Sequence, residues 1–228
     1  MRNDLAIRPG CTLLSLSGGL DSATLATKLI AEGKCVIAAY VDFHLHYSHE
    51  EFDAAQNVAA KLDIPLHRID FRGVGDLMQE FGRIPELPTL NPGETPKAPM
   101  GGYTILAVLS YLARLVRASE LAVGYTREDI AYYPGLKTLL REWPGLIRAI
   151  DDLDTQSSDQ FRLLAPLQSL SKSEVIRLGA SHNTPFHLTY SCAHGQPMHC
   201  GVCPCCIERR AGFKGAGESD PTNYAGDT

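Results

Sequence analysis

Two clusters in this 228-residue chain hold side chains of types and spacings that do chemistry. The first is Leu16-Ser17-Gly18-Gly19-Leu20-Asp21-Ser22, at the end of the apolar run that starts at Cys11. Paired glycines let a backbone turn sharply and leave no Cβ in the way of an approaching anion. If a helix starts here, its first amides lack partners and carry partial positive charge, so they can grip phosphate. Ser17 and Ser22 add hydroxyls, and Asp21 can cap the helix or hold Mg²⁺ against a phosphate. The loop suits a pyrophosphate, although a plain strand-to-helix turn capped by Asp21 would use the same residues. It is neither a Walker A loop, since no lysine follows the second glycine, nor the dinucleotide pattern G-x-G-x-x-G. Asp42 ends the next apolar run, where a carboxylate either accepts from a ribose hydroxyl or stands solvated at a strand end.

The second cluster is Cys192, Cys200, Cys203 and Cys206, spaced C-x7-C-x2-C-x2-C. Four thiolates so placed close a tetrahedral Zn²⁺ site with no open position, which is a structural rather than a catalytic arrangement. An iron–sulfur cluster would accept the same ligands. Cys205, beside a ligand, should point away. Of the seven cysteines, Cys11 and Cys35 stand apart in apolar stretches and read as small buried hydrophobes. Crowding thiols at one end, rather than spreading bridges along the chain, is the habit of cytosolic metal-binding proteins.

The elements that must position these clusters follow from pattern. Hydrophobic residues make up 44% and charged residues 21%, an ordinary globular balance for one domain with an appendage. A net charge of −5 argues against a surface built for nucleic acid. The apolar stretch Tyr103–Val116 is cut by Arg114 and too short to span a bilayer. Met1-Arg2-Asn3-Asp4 lacks the apolar run of a signal peptide, so the expected location is cytoplasmic. Strands are expected at Cys11–Leu16, Cys35–Phe43, Leu66–Phe71 and Leu121–Gly124, alternating with helices at Asp21–Ala31, Glu50–Leu62 and Tyr103–Arg117. Such alternation predicts a parallel sheet with right-handed crossovers. A Pro-rich stretch, Arg83–Met100, reads as a functional loop. Leu136–Ile150 should be helical but broken near Pro144, and Ser171-Lys172-Ser173-Glu174 is a capping box opening a helix that stops at Gly179. His44 and His46 alternate onto one face of the second strand and read as polar strand-end residues. The expected division is an α/β domain over residues 1–190 and a cysteine-rich segment over 191–228.

Ser17-Gly18-Gly19-Leu20-Asp21-Ser22 after an N-terminal strand resembles the loop of the PP-loop ATP pyrophosphatases. Those enzymes cleave ATP between its α and β phosphates to adenylate a substrate. With the cysteine knuckle, Ile207-Glu208-Arg209-Arg210, Phe213-Lys214-Gly215-Ala216-Gly217 and Asp220-Pro221-Thr222-Asn223-Tyr224, the chain is similar to the 7-cyano-7-deazaguanine synthase family. Ala165-Pro166-Leu167 with Lys172 and Glu174 resembles the segment that precedes that family's zinc site. The resemblance implies an open, mostly parallel five-stranded sheet with helices on both faces and a C-terminal zinc knuckle. It also implies a homodimer, ATP with Mg²⁺, and a 7-carboxy-7-deazaguanine substrate whose adenylate is attacked by ammonia. Asp21 and Lys172 would then be catalytic, and Asp129 and Tyr133 would touch the substrate. Lys172 taken alone reads as a solvated helix-start lysine.

The middle of the chain departs from that family. Asp42-Phe43-His44-Leu45-His46-Tyr47-Ser48-His49 stands for Asp-Tyr-Gly-Gln-Arg-His, and Pro99-Met100-Gly101-Gly102 for Pro-x-Arg-Asn. Ala131-Tyr132-Tyr133-Pro134-Gly135 stands for a pattern ending Gly-Tyr-Pro-Asp-Cys. A lost arginine removes a bidentate donor that other residues do not replace. These differences fit a second expectation, a synthase-like enzyme of bacterial defence operons that joins the activated base to an amine, including one on a partner protein. A tRNA-thiolating PP-loop enzyme is a third, set against the acidic balance of the chain.

Overall fold

Leu13, Leu14, Ile37 and Ala38 are buried to within 1% of completely, the mark of strands covered on both faces. The computed structural model describes residues 9–81, 101–151 and 161–226. Its strands are β1 (Thr12–Ser15), β2 (Val36–Asp42), β3 (Leu66–Asp70), β4 (Glu120–Ala122) and β5 (Arg162–Leu164). They form one all-parallel sheet in the order β3-β2-β1-β4-β5. Alternation then divides the core. Leu14, Ala38 and Tyr40 pack beneath α1 (Leu20–Ala31), α2 (Ser48–Lys61) and α7 (Lys172–Ser181). Leu13, Ile37 and Ala39 pack beneath α4 (Gly101–Leu115) and α6 (Pro134–Asp151) on the other face. Two short helices, α3 (Arg72–Phe81) and α5 (Arg127–Tyr132), complete the main body.

Because β1 has β2 on one side and β4 on the other, the chain order reverses beside β1 and opens a crevice at the carboxyl ends of the strands. The glycine-rich loop sits there. The last helix, α8 (Pro204–Ala216), follows the cysteines and places Phe213 in the same core cluster as α1 and α7, edge-on to Phe186 at 5.2 Å.

Several expectations are corrected. Cys11 and Cys35 are not separate hydrophobes but a disulfide, with Cα atoms 4.7 Å apart. Thr12 pairs with Val36 in the parallel register, so the residue before each strand is brought level with the other. Cysteine usage therefore no longer speaks for a compartment. Helix α6 runs through Pro144 without ending, because Leu136, Leu140, Trp143 and Ile147 anchor it to the second core and Trp143 Nε1 donates to Ser110 Oγ at 2.9 Å. Strand β2 stops at Asp42, and His44 takes a left-handed φ of 54°, so His44 and His46 share no strand face. The fifth strand, β5, lies at the sheet edge. The Pro-rich stretch Arg83–Met100 lies outside the described residues, and none of the described helices is long and apolar enough to cross a membrane.

Phe213 offers a direct check that α8 is part of the main core. Phe213→Ala is expected to lower unfolding free energy by about 3–5 kcal/mol in urea, with one cooperative transition retained. Loss of α8 helicity alone, with the sheet's midpoint unmoved, would contradict this packing.

Candidate active site and metal centre

Strand β1 delivers the loop, and Gly19 stands as the N-cap of α1 with no side-chain cap bond. Asp21 therefore does not cap the helix. The first-turn amides of α1 face the crevice instead. Gly18 adopts φ +82°, and a Cβ there would lie 2.2 Å from the Glu51 carbonyl oxygen, so the loop can press against α2 only with glycine. Gly124, just beyond β4, makes room on the opposite side, since a Cβ there would come within 3.2 Å of the Ser22 amide nitrogen. Ser22 Oγ donates to the Gly19 carbonyl at 3.1 Å, and the Ser17 amide donates to Ser22 Oγ at 3.2 Å. The loop is shaped before any ligand arrives.

Lys172, the first residue of α7, extends its ammonium to Asp21 Oδ2 at 2.6 Å. The Ser171–Glu174 capping box forms as the sequence predicts and fixes the base of that lysine. Glu208 Oε1 lies 3.8 Å from the ammonium, and the Lys172 amide donates to Glu128 Oε1 at 3.2 Å. Burial alone would pull the Lys172 ammonium down. The carboxylates of Asp21, Glu208 and Asp129 outweigh it and hold the group above the ordinary lysine range. Burial pushes the Asp21 carboxyl up, against Lys172, with Asp129 and Glu128 adding to the rise. Burial likewise raises Glu208.

So one ammonium sits among four carboxylates, and Asp21 Oδ1 and Glu128 Oε2 are buried without a hydrogen-bond partner. Hard oxygen donors left unsatisfied in this way fit Mg²⁺. The neighbouring loop amides fit the phosphates such an ion would accompany.

The other expected residues are placed as follows. Asp129 joins the carboxylate group, but its Oδ2 accepts from the Thr126 amide and hydroxyl at 2.7 and 2.9 Å, closing a capping box on α5. Tyr133 ends α5 and lies in the field of Asp129, which together with burial raises its phenol. Asp42 is fully buried and paired with Arg68, and its Oδ1 accepts from the His44 amide at 2.7 Å. It reaches the crevice as half of an ion pair rather than as a free acceptor. Glu51 and Glu128 were not legible as site residues, since each is a lone carboxylate without a local pattern, and Glu208 was read only as part of the Ile207–Arg210 stretch, with no role of its own.

The four cysteine sulfurs of Cys192, Cys200, Cys203 and Cys206 lie within 4.8 Å of one another. A tetrahedron with Zn–S bonds of about 2.3 Å has edges of roughly 3.8 Å. Cys200 and Cys206 already stand 3.9 Å apart. Backbone amides of Cys200 and Cys203 point at the sulfurs of Cys192 and Cys200 at 3.4 and 3.2 Å, as they do around bound thiolates. The donor set therefore fits Zn²⁺. Cys205 is outside that set, partly buried against the same cluster. The metal segment is tied to the loop: the Tyr190 amide donates to the Gly18 carbonyl at 2.9 Å, and His46 Nε2 meets the Ala193 carbonyl at 2.7 Å.

Residues 11–217 match the family described as queuosine biosynthesis protein QueC. The 7-cyano-7-deazaguanine synthase of Rhizobium etli (strain CIAT 652) is 35% identical over 93% of this chain and 91% of its own length. That of Brucella ovis is 32% identical over 93% of each. Among solved structures, the U34-tRNA thiolase NcsA from Methanococcus maripaludis superposes with a TM-score of 0.52 at 19% identity, over 94% of this chain and 66% of its own. NMN synthetase from Francisella tularensis gives 0.51 at 16% identity, over 92% and 79%. These two likenesses concern the fold alone.

The sulfur geometry predicts zinc at one ion per chain in native mass spectrometry. Cys203→Ser should lose it and Cys205→Ser should keep it. Equal loss from both variants would contradict the assignment of Cys205 outside the ligand set.

Proposed function

This chain belongs to the QueC family of queuosine biosynthesis proteins, and we propose that it uses ATP to adenylate the carboxylate of 7-carboxy-7-deazaguanine, releasing pyrophosphate, so that ammonia can displace AMP. The observation that carries this reading is the Lys172–Asp21 pair at 2.6 Å beside the open amides of α1. A carboxylate resists attack because its charge is delocalised. Once one of its oxygens has bonded to the α-phosphorus and the bond to the β-phosphate bridge has broken, AMP becomes its leaving group. Charge then grows on the departing pyrophosphate. The loop amides and the Lys172 ammonium are fixed where that charge develops, which is worth more than contacts made equally in the ground state. Mg²⁺, held by Asp21 and Glu128, would neutralise further phosphate charge. The adenylated acid is then open to an amine, whose nitrogen bonds to the carbonyl carbon as AMP leaves. Asp129 and Tyr133, next to the Lys172 cluster, are the groups proposed to meet the deazaguanine. Zinc has a structural part, holding the segment that bonds Gly18.

The replaced residues after Asp42 favour a second reading, in which the acceptor is an amine on another molecule rather than ammonia. One assay separates the two. Zinc-loaded protein given ATP, Mg²⁺, ammonium and 7-carboxy-7-deazaguanine should yield pyrophosphate and AMP in equal amounts, dependent on the acid, with the free primary amide appearing by mass spectrometry. The nitrile should follow once a second ATP adenylates the amide oxygen and that oxygen leaves with AMP. Lys172→Ala should slow pyrophosphate release by about 10²–10³-fold. Pyrophosphate without free amide or nitrile, with a mass increase on an added amine, would favour the second reading. No acid-dependent pyrophosphate from folded protein would refute both.

A further inference from the structure

Beside the loop, on the β2 side, lies a cavity of about 250 Å³ lined by Leu16, Ser17, Val41, Phe43, Leu45 and Ile105, with Tyr40 and Glu51 also in its wall. Its walls are mostly apolar, with hydroxyl groups of Ser15, Ser17, Tyr47 and Ser48 among them. Glu51 belongs to the first turn of α2, and its backbone carbonyl is the atom that the Cβ-less Gly18 packs against, so side chain and loop are locked together. The Tyr40 hydroxyl places its single proton between the Ser48 carbonyl at 3.1 Å and Glu51 Oε2 at 3.3 Å. Among the described residues that line the cavity, none is a cation. The chemistry proposed above does not use the Glu51 carboxyl.

We propose that Glu51 is the base-reading residue of the nucleotide site, its carboxyl pairing with the ring-nitrogen and exocyclic-amine edge of adenine from the wall of this cavity. The inference rests on the ATP reading given above. With phosphates on the loop and drawn toward Lys172, the base must lie toward the Ser17 end, where the apolar cavity opens. A flat heterocycle fills such a slot, and the few polar groups in its wall decide which edge is accepted. Adenine presents one acceptor, the ring nitrogen, and one donor, the amine. A neutral carboxyl presents the complementary donor and acceptor. An ionised one would face the ring nitrogen's lone pair with another.

The surroundings favour the neutral form. Burial pushes the Glu51 carboxyl up to about 8; the hydrogen bond from Tyr40 pulls the other way, and the Asp42 carboxylate at the end of β2 adds to the rise. The groups around it are Tyr40 and Asp42 on β2 and Tyr47 at the start of α2, whose phenol feels the Glu51 charge. From β3, Arg68 is engaged with Asp42. Since the neutral acid is the pairing form, ATP affinity should be present below pH 8 and fall as the pH rises through that value.

Equilibrium binding of Mg·ATP to the zinc-loaded protein between pH 6.5 and 9.5 tests this. Glu51→Gln, whose amide offers the same donor and acceptor without titrating, should bind within about twofold of the native protein at pH 7 and lose the alkaline fall. Glu51→Ala should bind about 10- to 100-fold more weakly. Tyr40→Phe, which removes the hydrogen bond that favours ionisation, should move the midpoint of the fall to higher pH. If Glu51→Gln binds as poorly as Glu51→Ala, or the native profile is flat, the assignment is overturned. It is equally overturned if both variants spare ATP and instead weaken 7-carboxy-7-deazaguanine, which would give the cavity to the acid. Failure of the folded native protein to bind ATP at any pH would instead refute the ATP reading itself.

Discussion

The site depends on one contact between elements that are remote in sequence. Lys172 and Asp21 are 151 positions apart, yet the ammonium and carboxylate meet at 2.6 Å where α7 passes the N-terminus of α1. A buried pair of this kind contributes little to net stability, because removing two charges from water offsets most of their attraction. Its value is positional. The pair holds a cation against a row of amides that have no partner within their own helix, and both are in place before the proposed reaction would generate charge. Glu208, Glu128 and Asp129 add carboxylates around the same ammonium, which keeps it charged and leaves oxygens for a second cation.

The cysteine segment supports this arrangement rather than standing beside it. The Tyr190 amide bonds Gly18 within the loop, Ala193 bonds His46, and α8 carries Glu208 toward Lys172 while Phe213 enters the main core. Arg209, almost fully buried, donates to Thr189 Oγ1, Ser191 Oγ and the Phe186 carbonyl, and so ties α8 to the stretch that leads into the metal segment. A metal bound there would restrain the loop through few covalent bonds.

What could be read from the sequence was whatever chemistry compresses into a short stretch. Ser17–Ser22, the cysteine spacing and the Ser171–Glu174 box are local patterns whose geometry is set by neighbours in the chain. The parallel sheet was legible because strands covered on both faces read as unbroken apolar runs. The disulfide was not, since it requires the β1–β2 register to bring Cys11 level with Cys35. The engagement of Asp42 was hidden for the same reason: Arg68 pairs across from Tyr40, two residues away, and reaches back to the carboxylate. Helix α6 overrode Pro144 through side chains packed on the core, a tertiary effect that no local rule contains. Glu51, Glu128 and Glu208 become conspicuous only once folding surrounds them.

In the proposed reaction, pyrophosphate must stay on the loop and Lys172 while the acid takes the adenylyl group. Positional isotope exchange in ATP labelled with ¹⁸O at the α,β-bridge, followed by ³¹P NMR, observes that event directly, because the bridge oxygen becomes equivalent to the other β-phosphate oxygens once the bond to the α-phosphorus has broken. We expect the label to scramble only when Mg²⁺ and the carboxylic acid are both present, and to remain fixed in Lys172→Ala. Scrambling at the native rate in Lys172→Ala, or none in the native enzyme while product forms by another bond cleavage, would contradict it.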